Sequence, residues 1–196
     1  MHLAFDIFQG IGIAAAVGIR PFLPALVVGA LAAGDIQIDF VNSDFSFLQG
    51  VPFLLAMVVG AALLAVAERR SGGQRLEAGP VAWTVAVLAL IVGALLFGGS
   101  LCRGGYATWP GLIGGVICAA IGIMATRPLL ARVRARLDAQ TAAALPLFAE
   151  AAAVLGAAVS VLLPPAGLVV LALLLWLLLA GRGRGDQKFA GLRILR

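Results

Sequence analysis

The sequence predicts an all-α protein, a polytopic membrane helical bundle of about six transmembrane helices in which the first helix is broken near Arg20-Pro21. Hydrophobic residues make up 62% of the 196-residue chain, charged residues only 12%, and the mean hydropathy is +1.09. Soluble domains are about half apolar and about a quarter charged. Six spans of ~20 residues would use about 120 residues, which leaves no room for a second folded domain. We therefore predict one transmembrane domain, residues 1–181, and a basic cytoplasmic tail, residues 182–196.

Six apolar runs in the sequence are candidates for membrane spans. The first run has no basic residues ahead of it and carries Asp6, which argues against a cleaved signal peptide. Only Pro164-Pro165 separates the last two runs, and we interpret this pair as a tight hairpin because residues 142–180 are too long for one span. The predicted spans are residues 3–33, 47–67, 80–98, 109–125, 142–163 and 165–180.

The charged residues lie between these spans and predict the orientation of the chain. Twelve of the 14 Lys and Arg residues fall in residues 68–79, 126–141 and 182–196, whereas residues 34–49 carry three aspartates and no cation. Positive residues are retained on the cytoplasmic side, so we expect a multi-pass protein of the bacterial inner (cell) membrane with both termini in the cytoplasm. Residues 127–140 and 188–196 have the pattern of interfacial helices, which predicts membrane lipids with anionic headgroups as partners.

The first apolar run is the most informative part of the chain for function. As one helix, residues 3–33 would be about 46 Å long, well beyond the hydrocarbon core. Pro21 and Pro24 remove two backbone donors and Pro21 disfavours a helical Arg20, so we predict two half-helices that meet there. Broken helices at membrane depth are typical of substrate or ion sites in transporters. The positive dipole end of the second half-helix favours an anionic group beside Arg20.

Glu150 is the second charge within a predicted span. It lies near the middle of residues 142–163, where a carboxyl group must be protonated, solvated or paired. Arg20 is its natural candidate partner, and a salt bridge that only locks two helices together is as good an interpretation as a transport role. A third use is proton coupling, with Glu150 as the proton carrier. We therefore predict a substrate-binding site formed by Arg20, Pro21, Pro24 and Glu150.

Small residues recur every four positions in three rows, a pattern that allows transmembrane helices to approach closely. Most such rows pack within one chain, but one of them could form a homodimer. A homodimer is expected if the chain is a transporter, because six spans are few for alternating access. The three rows are Gly10, Ala14 and Gly18; Gly111, Gly115 and Ala119; and Ala152, Gly156 and Ser160.

The sequence carries little that could support catalysis, metal binding or nucleic-acid binding. His2 is the single histidine, and fifteen residues separate Cys102 from Cys118. The sequence has no paired-carboxylate motif, no G-x-S-x-G and no phosphate-binding loop. The basic residues have no interleaved aromatic residues of the kind that nucleic-acid modules use. We expect no enzymatic activity, no metal or other cofactor and no nucleic-acid partner.

Several short motifs resemble a bacterial, actinobacterial-like family of small multispanning membrane proteins classed as a domain of unknown function. The resemblance implies a multispanning architecture in a bacterial membrane and an acidic residue near the start of the fifth span, which Glu150 matches. It implies no activity and no catalytic residues. The motifs are Gly18-Ile19-Arg20-Pro21-Phe22-Leu23-Pro24, Ile38-Asp39-Phe40, Asp44-Phe45-Ser46-Phe47-Leu48, Trp109-Pro110-Gly111-Leu112 and Lys188-Phe189-Ala190-Gly191-Leu192-Arg193.

These observations favour a transporter or channel-like permease for a small anionic solute, with Arg20 as the anion contact and Glu150 as its partner or a proton carrier. Two other interpretations stay open. The chain could be a structural or assembly protein whose buried charges only fix helix packing. It could also be a lipid-handling protein that uses its basic interfacial segments.

Overall fold

The computed structural model describes residues 3–41, 43–71 and 79–183, and within them the fold is an all-α bundle. This confirms the predicted fold class, with seven helices in the described ranges instead of about six. The predicted basic tail lies outside the described residues from residue 184 onward. A short 3-10 helix, Ser46–Gln49, precedes the third helix. The helices are α1 (Leu3–Ile19), α2 (Phe22–Ala33), α3 (Val51–Ser71), α4 (Pro80–Arg103), α5 (Trp109–Arg134), α6 (Ala139–Leu162) and α7 (Ala166–Gly183).

The break predicted in the first apolar run is present, since α1 ends at Ile19 and α2 begins at Phe22. The two half-helices form a hairpin instead of one interrupted span. Arg103, at the end of α4, contacts both Asp6 near the start of α1 and the backbone of Gln37 just after α2. The beginning of α1 and the end of α2 therefore lie at the same end of the bundle.

The α2 helix runs antiparallel to α3. Gly29 of α2 lies against Leu54 near the start of α3, and Phe22 of α2 lies against Gly60 further along α3. Next in this direction, Arg20 meets Glu68 near the end of α3. We call this end of the bundle, which carries Arg69, Arg70 and the end of α5, the basic end, and the end that contains residues 34–41 and 43–50 the loop end.

The α1 helix is the centre of the bundle because small residues allow its neighbours to approach. It contacts α4, α5, α6 and α7, and its residues from Ile13 to Val17 are fully buried. A Cβ atom on Gly18 would lie 2.2 Å from the carbonyl oxygen of Ala119 in α5. Ser160 of α6 lies against Gly12, again in α1. Members of all three predicted rows thus pack inside this chain, although Gly156 is less tightly packed, since an added Cβ atom there would lie 3.7 Å from the nearest atom.

Four helices, α3 to α6, are long and apolar enough to cross a membrane. The α1, α2 and α7 helices are shorter and apolar. The α5 helix continues as a single helix through Pro128 to Arg134, so the first part of residues 127–140 is not the separate flat helix that the sequence predicts. Pro164 and Pro165 do form the predicted tight connection, here between α6 and α7.

The two ends of the described chain lie at opposite ends of the bundle. Asp6 is paired with Arg103 at the loop end, whereas Gly181 near the end of α7 lies against the guanidinium of Arg132 at the basic end. The expectation that both termini lie in the cytoplasm stays a prediction, because residues 1–2 and 184–196 lie outside the described ranges. Within the described residues, α2 reverses the direction of α1, so the first apolar run forms two antiparallel helices and not one long helix.

Candidate functional site

Arg20 lies at the tip of the α1–α2 hairpin, inside the bundle. Arg20 is only 9% exposed. It connects two apolar helices, α1 before it and α2 after it. Ala86 of α4 and Thr126 of α5 border the same cavity as Arg20. These two residues lie about 9 Å and about 12 Å along their helices from Pro80 and Arg134 at the basic end. The hairpin therefore carries a guanidinium into the bundle near the basic end, where Arg134, the last residue of α5, and Glu68, three residues before the last residue of α3, border the same cavity.

Glu68, not Glu150, is the direct partner of Arg20. The Nη1 atom of Arg20 donates to Oε1 of Glu68 at 2.5 Å, and the two side chains are 11% and 14% exposed. The sequence places Glu68 directly before Arg69-Arg70, so it looks like part of a solvated basic flank. The structure corrects the predicted partner because α3 extends past residue 67 to Ser71 and turns Glu68 toward the hairpin tip.

Glu150 lies close enough to this pair to interact with both charges. Its carboxylate attracts Arg20 and repels Glu68 electrostatically, but no salt bridge joins it to Arg20 within the described residues. Its Oε2 atom is buried and lacks a hydrogen-bond partner in the described part of the chain. Arg20 thus binds Glu68 and has a second carboxylate, Glu150, within electrostatic range, but Glu150 does not border the cavity beside Arg20.

Pro21 and Pro24 both lie at the hairpin tip, but only Pro21 borders the cavity. Pro21 precedes α2 as its N-cap residue with φ −76° and ψ −39°, and no side chain caps the helix. It borders the cavity beside Arg20, whereas Pro24 is a buried residue of the first turn of α2 and is not on the cavity surface. The backbone N–H groups of this first turn have no hydrogen-bond acceptor within the helix and form the positive end of the helix dipole.

The cavity beside Arg20 is small and mostly positive. Its volume is about 60 Å³, enough for a few water molecules or one small ion, since one water needs about 10–15 Å³ on this measure. The charged residues on its surface are Arg20, Arg127, Arg134 and Glu68. Among the described residues, arginines thus outnumber carboxylates around the cavity, and Arg20 and Arg134 both have interaction partners. Thr126 adds a hydroxyl group that donates to the Gly122 carbonyl at 2.7 Å.

A second buried ion pair lies at the loop end of α1 and was not predicted from the sequence. Nη2 of Arg103 donates to Oδ1 of Asp6 at 2.6 Å, and Nη1 donates to the Gln37 carbonyl at 2.7 Å. Asp6 is 1% exposed. Gln37 has a left-handed φ of 61°, so the arginine holds a strained residue of the loop in place. The available signal was an acidic residue inside an apolar run, which requires a partner.

Polar residues around this second pair are also fully buried. Gln9 donates from Nε2 to the Val161 carbonyl at 3.0 Å, and the Ser100 hydroxyl donates to the carbonyls of Phe97 and Asp6.

Within the described ranges, no group of three or more His, Cys, Asp or Glu side chains is placed to hold a metal ion.

Comparisons with protein-family models, with curated protein sequences and with solved structures find no match for this chain.

Proposed function

We propose that this membrane protein is a permease for a small anionic solute, which passes Arg20 at the tip of the α1–α2 hairpin. The observation that carries the proposal is the buried guanidinium of Arg20 beside a small cavity that two further arginines, Arg127 and Arg134, also border. A buried charge in a membrane protein is costly and is kept mostly where it serves a pathway or a pair. The positive end of the α2 dipole adds to the attraction for an anion.

The size of the cavity limits the class of solute. A volume of about 60 Å³ accommodates a halide, nitrate or formate but excludes sugars and nucleotides in this conformation. The solute would replace Glu68 as the anionic partner of Arg20, because a guanidinium binds carboxylates and other oxyanions in the same way. Glu150 supplies the second carboxylate, which receives Arg20 or a proton when Glu68 is displaced.

Small-anion currents in proteoliposomes test the proposal. The full chain is reconstituted, and currents are recorded after rapid jumps in chloride, nitrate or formate concentration. Arg20→Gln should lower the current about tenfold or more, the effect of losing one charge-assisted contact. Arg69→Gln is the matched control, because Arg69 is exposed at the same end of the bundle and does not border the cavity. Equal currents for the wild type and Arg20→Gln would contradict the proposal.

A second candidate is a structural role without transport. It is favoured by the direct contact between Arg20 and Glu68 at 2.5 Å, which ties the hairpin tip to α3. Removing one partner of a buried pair costs about 3–5 kcal/mol, while exchanging the two partners can keep the attraction. The double exchange Arg20→Glu with Glu68→Arg therefore separates a packing role, which it can restore, from an anion site, which it moves onto α3.

A further inference from the structure

A deep apolar groove opens between α4, α5 and α7 near the basic end. Its volume is about 680 Å³, within the range of about 300–1,000 Å³ that is typical of small-ligand sites. Leu90, Ala120, Met124 and Leu178 are among the residues that form its walls. The groove is separate in character from the cavity beside Arg20, which is ten times smaller in volume and bordered by polar groups.

The groove has a polar mouth of one charge sign. Among the described residues that border it, Arg127 and Arg132 are the charged ones and none is acidic. Nε of Arg132 donates to the Pro128 carbonyl at 2.9 Å, which fixes the side chain against its own helix. Its terminal nitrogens lie beside Gly181, where the absence of a side chain leaves room for them. Trp83, which is 71% exposed, stands at the same mouth.

The dimensions of the groove fit a lipid that lies parallel to the helices. From Arg132 to Ala120 along α5 the rise is about 18 Å, from the helix end toward the middle of the membrane. Arginine and tryptophan at one end and aliphatic walls at the other match a headgroup and an acyl chain. Basic pockets between transmembrane helices recognise anionic lipid headgroups by the same arrangement.

We propose that this groove is a specific site for one anionic phospholipid, with its phosphate at Arg132 and Arg127 and one acyl chain along Ala120 and Leu178. Charge complementarity assigns the occupant, because an anionic lipid brings a phosphate without a cation to the two guanidinium groups, whereas a zwitterionic lipid would bring its ammonium group beside them. This site does not depend on the permease activity. Arg127 borders both the groove and the cavity beside Arg20, so a lipid here would also contribute to the charge balance of that cavity.

Native mass spectrometry of the full-length protein in a neutral detergent tests the site. The protein is titrated with dioleoyl phosphatidylglycerol and with dioleoyl phosphatidylcholine, which have the same acyl chains. We expect one phosphatidylglycerol to be retained in preference to phosphatidylcholine. Arg132→Gln should weaken the retained binding about fivefold, the effect of one cation near an anionic headgroup. Arg136→Gln is the control, since Arg136 is exposed at the same end of α5 and does not border the groove.

A second variant tests the apolar part of the site without changing any charge. Ala120→Phe fills the groove, so it should remove phosphatidylglycerol binding although both arginines remain. Glycerol phosphate and inorganic phosphate are the soluble probes, and a lipid site predicts no binding of either at the concentrations that saturate with phosphatidylglycerol. The proposal is overturned if phosphatidylcholine binds equally well, if Arg136→Gln weakens binding as much as Arg132→Gln, if Ala120→Phe changes nothing, or if the soluble phosphates bind as tightly.

Discussion

At the scale of single residues, two arginines lie inside the bundle and each pairs with an acidic residue. One pair lies at each end of α1. Arg20 pairs with Glu68 and Arg103 pairs with Asp6. The two environments differ, because Arg103 also holds a backbone carbonyl, whereas Arg20 faces the second carboxylate of Glu150. The pair at the loop end is therefore suited to fixing the fold, and the pair at the hairpin tip is suited to exchange of partners.

The two acids near Arg20 should substitute for each other in part. Glu68→Gln leaves Glu150 to balance Arg20, and Glu150→Gln leaves the direct pair intact, so each single change should lower the free energy of unfolding by about 1–2 kcal/mol. The double change leaves Arg20 buried without a counter-charge and should cost about 3–5 kcal/mol. Unfolding in mixed micelles by denaturant measures all three variants. Additive effects of the two changes would show that Glu150 does not act on Arg20.

Sequence patterns predicted Arg20 and Glu150 as intramembrane charges but not their partners. Pro21 and Pro24 mark the break in the chain itself, so the position of the break is a local property. Which acid reaches Arg20 depends on how α3 and α6 pack around the hairpin, and 48 residues separate Arg20 from Glu68. A local sequence pattern cannot show which two residues so far apart along the chain come into contact. In addition, Glu68 precedes two arginines and therefore looks like part of an ordinary helix flank.

At the scale of helices, close approach of backbones explains why α1 can be surrounded by four neighbours. A Cβ atom on Gly167, at the start of α7, would lie 2.0 Å from the Phe8 carbonyl oxygen of α1. The neighbouring atoms belong to backbone, which cannot move aside without shifting a helix. At Gly156 the nearest atom to an added Cβ would be 3.7 Å away, which is ordinary contact.

These two glycines form a matched pair for mutation. Gly167→Ala should destabilise the bundle by about 1–3 kcal/mol or more, because it over-packs a backbone contact. Gly156→Ala should be neutral or stabilising by about 0.5–1 kcal/mol, because alanine is the better helix former and the space exists. Thermal unfolding of both variants under one detergent condition gives the comparison. A stable Gly167→Ala protein would contradict the contact between α1 and α7.

At the scale of the whole molecule, the hairpin determines the topology. Hydropathy and the positions of the basic residues predicted where the helices α3 to α7 begin within four residues, because each of these apolar runs makes one helix, but α5 continues nine residues past its predicted end. The first apolar run has the same composition as one long span. Nothing in its sequence shows whether α2 continues in the direction of α1 or turns back along it. The direction of α2, and with it the end of the bundle at which α1 begins, therefore could not be predicted from the sequence.

Labelling of single cysteines tests this topology. In a Cys102→Ser background, Ala4→Cys and Asp44→Cys should react with a membrane-impermeant maleimide from one side of sealed vesicles. Arg136→Cys should react only from the other side. All three positions are exposed in the described structure, and Cys118 is buried. Labelling of Ala4→Cys from the same side as Arg136→Cys would contradict the hairpin and restore a single interrupted span.

The small-anion current of the exchanged pair tests the central claim most directly. Arg20→Glu combined with Glu68→Arg is compared with the wild type, and unfolding in detergent is measured on the same preparations. If Arg20 is the anion contact at the hairpin tip, the exchanged protein stays folded because the attraction is kept, but its chloride, nitrate or formate current falls about tenfold or more. A folded exchanged protein that conducts as the wild type does, or a wild type that conducts no more than empty vesicles, would contradict the account.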